Sequence, residues 1–171
     1  SAWQQNGKKS GGRIIHFGIH DLDFACWVME SRPVSVRTIA SKKIDQAITS
    51  WTSYSAQILF ESGALALVTG IWDAIPTNYW RKTCSVIGST GTIQYDSAED
   101  EISLNSQNTE PVGYLASIIN ELKHWSECLV GNTEPIVTIE QARMSLALAV
   151  AAQNSAENHG ATVEIEEILH G

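Results

Sequence analysis

The stretch Gly11-Gly12-Arg13-Ile14-Ile15-His16-Phe17-Gly18-Ile19-His20-Asp21-Leu22-Asp23-Phe24-Ala25-Cys26-Trp27 decides how this chain is read. Two glycines open it, an apolar pair follows, and His16 and His20 flank Gly18 just before an amphipathic run. From Asp21 to about Ser31, Leu22, Phe24, Ala25, Cys26, Val28 and Met29 predict a short, largely covered helix. Asp21 and Asp23 suit its positive first turn, and Pro33 stops it. Upstream, residues 1–12 are polar and glycine-bearing and predict a loop or mobile arm, with the folded domain running over 13–171. A dense polar cluster beside glycines reads as a site.

Beyond Pro33 the period changes. Val34, Val36 and Thr38 alternate with Ser35 and Arg37, as in a half-buried strand. Tyr54 to Phe60 and Ala64 to Asp73 are extended runs joined by Glu61-Ser62-Gly63, the chemistry of a hairpin turn. Thr83 to Ile87 and Thr92 to Tyr95 repeat the device around Gly88-Ser89-Thr90-Gly91, and Glu101 to Leu104 adds a short strand. Leu115, Ile118, Ile119, Leu122, Trp125 and Leu129 then recur at helical steps. Thr138 with Gln141 reads as a capping box opening an alanine-rich helix that stops at Gly160, and Thr162 to Ile165 predicts a last strand. The class is α+β: a large, mostly antiparallel sheet with helices packed on one face. Trp51, Leu65, Leu67 and Ile71 cannot share that face with Ala66 and Val68. The open face therefore predicts a homodimer closed by two-fold symmetry, with a tetramer as a further step.

The chain's 171 residues suffice for a real core, and 43% hydrophobic with 18% charged residues is ordinary for a globule. A formal charge of −8 opposes a nucleic-acid partner, which needs a concentrated basic face. No apolar run reaches membrane-span length and no basic-then-apolar leader is present, so neither a membrane partner nor export is expected. Cys26, Cys84 and Cys128 match no zinc spacing or disulfide framework and predict buried free thiols in a reducing cytoplasm. The histidines never meet carboxylates at ligand spacing, so no metal site is expected.

Several segments together resemble the C-terminal domain of the Gfo/Idh/MocA oxidoreductases. They are Gly11 to Trp27; Phe60-Glu61-Ser62-Gly63-Ala64; Val86 to Ile93, a strand–Gly–x–x–Gly–strand; His124 to Gly131; and Pro135 to Ala142 with the helix after it. The resemblance covers residues 11–166 in the family's order. It implies a parent with a Rossmann domain for NAD or NADP, absent from this chain, and a sugar, inositol or related polyol as substrate. The isolated chain is then expected to be inactive and to bind no cofactor tightly. Gly88-Ser89-Thr90-Gly91 is no substitute, because it lacks the dinucleotide spacing and precedes a strand.

The resemblance also assigns roles. His20 falls on the family's acid/base histidine, and His16 on a position that is commonly aspartate. Asp23 falls on the downstream aspartate and Trp27 on the aromatic that follows. Imidazole suits proton abstraction from a hydroxyl near neutral pH; the alternative for His20 is capping or packing at the helix start. His16 and Asp23 are candidate substrate-binding or supporting residues, Asp23 with a helix-start role as its competitor. Trp72 and Arg81, with Asp73 and Trp80, line either a sugar pocket or the rim of a dimer contact. Gly11 and Gly12 let backbone approach substrate or cofactor at the periphery. A domain that keeps this fold only for association, as a scaffold or sensor, is the competing function.

Overall fold

The computed structural model describes residues 3, 6–42, 49–72, 81–98, 101–105, 107–108 and 114–170. They belong to two compact units, residues 1–74 with 137–171 and residues 75–136.

In the first unit the chain enters through a one-turn helix α1 (Gly7–Ser10), capped by the Asn6 side chain, which accepts from the Lys8 and Lys9 amides. Local structure is thus present over residues 6–12, and Gly12 is buried. A π-helical turn (Ile14–Gly18) runs without a break into α2 (Ile19–Met29). The helical segment therefore starts well before Asp21, and it ends where Glu30 adopts the left-handed conformation. Pro33 begins β1 (Pro33–Ser41), which pairs antiparallel with β2 (Ser53–Phe60). A turn with Gly63 at φ 81° leads into β3 (Leu65–Ile71), antiparallel to β2.

The long helix α4 (Ile139–Glu157) opens with the expected capping box, Thr138 and Gln141 exchanging both hydrogen bonds. Its alanines permit close approach to the sheet. Ala147, Leu148, Ala149, Ala151, Ala152 and Ala156 join Val36, Ala56, Ile58 and Phe60 in one buried cluster. Burying Leu148 alone contributes about 1.5–3 kcal/mol. The expected last strand shrinks to β8 (Val163–Glu164), which pairs with Ser35 and Val36. A short helix α5 (Ile165–His170) follows it, with Ile165 in the core. Because β8 begins only at Val163, opposite Val36, the amide of Thr38 lies beyond its reach. It donates instead to Ser155 Oγ at 2.8 Å, and that hydroxyl donates to the Ala161 carbonyl at 2.6 Å.

In the second unit β4 (Thr83–Ile87), β5 (Thr92–Asp96), β6 (Glu101–Leu104) and β7 (Gln107–Asn108) form an antiparallel meander. Gly88 and Gly91 close the β4–β5 hairpin, the Gly88 amide donating to the Gly91 carbonyl. The amphipathic helix α3 (Tyr114–Leu129) completes this unit, with Leu122, Trp125 and Leu129 exposed. The α+β class and the antiparallel pairing hold. Among the described residues, however, the strands form two four-stranded ladders instead of one hydrogen-bonded sheet.

Candidate functional site

Gly11 and Gly12 have φ values of 76° and 86°, two consecutive left-handed residues. Only glycine takes that region without strain, which is why the pair stands where the chain turns from α1 into the helical segment. Gly12, Ile14, Gly18, Leu22 and Ala25 then form the buried stripe. Gly18 has ordinary helical dihedrals, so its glycine identity has another cause: a β-carbon there would lie 2.7 Å from the Tyr54 hydroxyl. Tyr54 stands opposite Gly70 on β3, where a β-carbon would lie 2.5 Å from its ring. The phenol is buried, stacks on Trp72 at 5.6 Å, and its hydroxyl has no hydrogen-bond partner among the described residues. Burial, and secondarily the Asp21 carboxylate, pushes its ionisation well above the ordinary range. Tyr54 is thus an apolar-side prop that seats the His-bearing segment on the sheet, a role not visible in the sequence.

His20 lies in the first turn of α2 and is exposed. No hydrogen bond, ion pair or ring contact engages it among the described residues. His16 sits within the π turn, half-buried, with its ring edge-on to Trp3 at 4.9 Å and Phe17 at 4.4 Å. π-Helical turns interrupt the ordinary register and recur at functional sites. Asp23 accepts a 2.5 Å hydrogen bond from Ser145 on α4 and so braces one helix against another. Beside it, burial and then the Asp23 charge push the Cys26 thiol up to about 11, consistent with an inert interior thiol.

Trp72 belongs to the prop. Besides Tyr54 it neighbours Phe17 at 6.3 Å, and the Arg13 guanidinium lies 6.0 Å from its ring centre. Arg81 lies in the second unit, where Asp96 engages it through two hydrogen bonds. The Arg81 hydrogen bonds, with the Ala98 amide, hold the Asp96 carboxyl below its usual range. Asp73 and Trp80 lie outside the described residues. His20, His16, Asp23 and Trp72 thus belong to the first unit, and Arg81 belongs to the second. His124 is a half-buried helix residue, its Nε2 accepting from the Ile136 amide at 3.1 Å. All three cysteines are free, and no group of three metal-ligating side chains occurs among the described residues. No described helix is long and apolar enough to cross a membrane.

The first unit is a helix-on-sheet α+β arrangement with an exposed histidine in the first turn of α2, behind a Gly-Gly turn, and a match to a known family places the chain in the class of oxidoreductase C-terminal domains. The chain belongs to the GFO/IDH/MocA family, whose C-terminal domain matches residues 1–94. It is 25% identical over 173 residues to a myo-inositol 2-dehydrogenase of Thermotoga maritima, covering 94% of this chain and 51% of that protein. Among solved structures it is similar to an aldose-aldose oxidoreductase from Caulobacter crescentus complexed with glycerol. That match has 23% identity and a TM-score of 0.75, covering 95% of this chain and 50% of the other. The WlbA dehydrogenase from Bordetella pertussis, solved with NADH and UDP-GlcNAcA, shares the fold at 18% identity and a TM-score of 0.73, covering 96% of this chain and 48% of its own. The chain spans about half the length of the relatives it matches.

Proposed function

We propose that this domain supplies the acid–base and substrate-holding side of an NAD(P)-dependent oxidation of a CH–OH group on a sugar, inositol or related polyol. The observation that carries the reading is His20: an exposed imidazole, engaged by no described neighbour, on a helix start seated firmly by Gly18 and Tyr54. In that role His20 takes the hydroxyl proton of the carbon being oxidised. Gly11, Gly12 and His16 flank the approach, and Asp23 and Trp72 hold the segment in place. The described residues do not fit a dinucleotide: Gly88–Gly91 closes a hairpin, and Gly11–Gly12 lack the required spacing. The cofactor is therefore assigned to the other half of the parent, and this chain alone is inactive and binds neither NAD nor NADP tightly. In the full-length parent, His20→Ala is expected to lower turnover about 100- to 10,000-fold with the fold intact. Near-normal turnover would exclude His20 and favour a domain kept for association alone.

The same domain is proposed to dimerise, in the cytoplasm, through the open face of its first sheet. Ile39, Leu59, Leu65, Leu67 and Ile71 all lie exposed on that face, Leu67 at 66%. Alternate positions Ala56, Ile58 and Ala66 are buried under the helices. A contiguous apolar face of this kind is stabilised when a second copy covers it. Sedimentation equilibrium should give twice the chain mass of 18.7 kDa, and Leu67→Lys should give the monomer. A wild-type monomer at micromolar concentration would refute the pairing.

A further inference from the structure

A helix packed on a sheet ordinarily turns charged and polar residues to water, and α2 does the reverse. Its exposed residues are His20, Phe24 and Trp27, with Phe24 at 45% and Trp27 at 65%. At about 100° per residue these three fall within an arc of about 60°, one stripe along the helix. Leu22 and Ala25 point the opposite way and join Ala56, Ile58 and Ala66 in the core. The two aromatic rings of the stripe lie against each other, with centroids 5.9 Å apart and planes at 33°. No lysine, arginine or carboxylate stands among the exposed residues of α2. An aromatic pair left open in this way is the composition of an interface core, where tryptophan and other aromatic anchors carry most of the contact energy.

The chemistry proposed for His20 fixes what meets the stripe. The proton leaves a hydroxyl and the hydride leaves the carbon that bears it, so the cofactor lies across the substrate from the imidazole. The half that holds the cofactor then comes within one substrate's width of His20. Trp27 stands about 10 Å further along the helix, at about 1.5 Å per residue. Contacts between domains bury about 600–1,500 Å² in total, which on each side is a patch about 20–30 Å across. A patch of that size that reaches His20 takes in Phe24 and Trp27 as well. The second copy proposed above belongs elsewhere: Leu59, Leu65 and Leu67 lie on the sheet face turned away from the core that Leu22 and Ala25 join. The relatives this chain matches are about twice its length, enough for a second domain of this size. We propose, resting on the acid–base reading of His20, that Phe24 and Trp27 are the docking surface for the dinucleotide-binding half of the parent, anchoring it beside the imidazole.

Thiol accessibility tests the surface without substrate or turnover. Trp27→Cys and Phe24→Cys, both at exposed positions, are made in this chain and in the full-length parent, treated with N-ethylmaleimide and mapped by mass spectrometry. Both thiols should react as open groups in this chain and at least about tenfold more slowly in the parent. Ser62→Cys, on the exposed turn between β2 and β3, should react alike in the two proteins. Equal rates at positions 24 and 27 in chain and parent would overturn the proposal. Slow reaction already in this chain would give the stripe to a second copy and overturn it as well. Near-normal turnover of His20→Ala in the parent removes the acid–base role but does not alter the labelling rates, so failure of the docking surface and failure of the His20 reading are told apart.

Discussion

Replacing Gly18 by alanine asks whether Tyr54 sets the seat of the His-bearing helix. The backbone there is helical (φ −62°, ψ −26°), so alanine meets no conformational penalty and helix propensity favours it by about 1 kcal/mol. Against this, the new β-carbon would stand 2.7 Å from the Tyr54 hydroxyl and 3.2 Å from Cζ. The ring cannot easily swing aside, because it is 3% exposed, stacked on Trp72 and pressed against Gly70. Overpacking of this kind costs about 1–3 kcal/mol and outweighs the propensity gain, leaving Gly18→Ala about 1 kcal/mol less stable. Tyr54→Phe removes the clashing atom and a hydroxyl without a partner among the described residues, so it should be neutral or stabilising by about 1 kcal/mol. In that background the closest remaining atoms lie at 3.2–3.3 Å, and Gly18→Ala should become roughly neutral. Urea denaturation of the four proteins at a common m-value gives the coupling, expected near 1–2 kcal/mol. Additivity within about 0.5 kcal/mol would refute the prop.

Ser155→Ala strands the Thr38 amide and the Ala161 carbonyl together, and should cost about 2–4 kcal/mol by the same urea assay; a loss below about 0.5 kcal/mol would mean that water replaces the hydroxyl. Cys26 has a folded-state value raised from 9.0 to about 11, so its contribution is present below pH 9 and lost as pH rises through 11. Stability measured from pH 8 to 11 should fall in wild type and fall less steeply in Cys26→Ala, and parallel profiles would contradict the shift.

Much of the fold was legible because its signals are local. The alternation of Leu65, Ala66, Leu67 and Val68 set the two faces of β3, and Thr138 with Gln141 announced α4. Gly88 to Gly91 read correctly as a hairpin turn. The misses all involve partners distant in sequence or unusual backbone. Two left-handed glycines and a π turn start the first long helical segment earlier than its apolar periodicity shows. β8 is cut to two residues because Ser155 takes the place of a longer strand partner. Asp23 finds Ser145, 122 positions away, and Arg81 finds Asp96; neither pairing has a signature along the chain. Gly18 is a residue of close approach, to Tyr54 on a strand 36 positions on, and no local signal names that partner.

His16 carries the sharpest departure from the family pattern that the sequence resembles, and its surroundings make the effect of restoring aspartate calculable. The imidazole is half-buried and meets two aromatic rings edge-on, Trp3 and Phe17. Each such contact is worth about 0.5–1.5 kcal/mol beyond area, so His16→Asp should cost roughly 1–2 kcal/mol of stability. In return it places a carboxylate four residues before His20, across the junction of the π turn with α2. Neighbours at that spacing share a helix face, and a negative charge there favours the imidazolium that forms when His20 takes a proton. On the proposed reading, His16→Asp in the full-length parent should raise turnover on a polyol while lowering the urea midpoint. Lost turnover with the fold intact would mean that His16 itself meets the substrate. Unchanged turnover would mean that the π turn points the two side chains apart, and that position 16 serves the aromatic cluster alone.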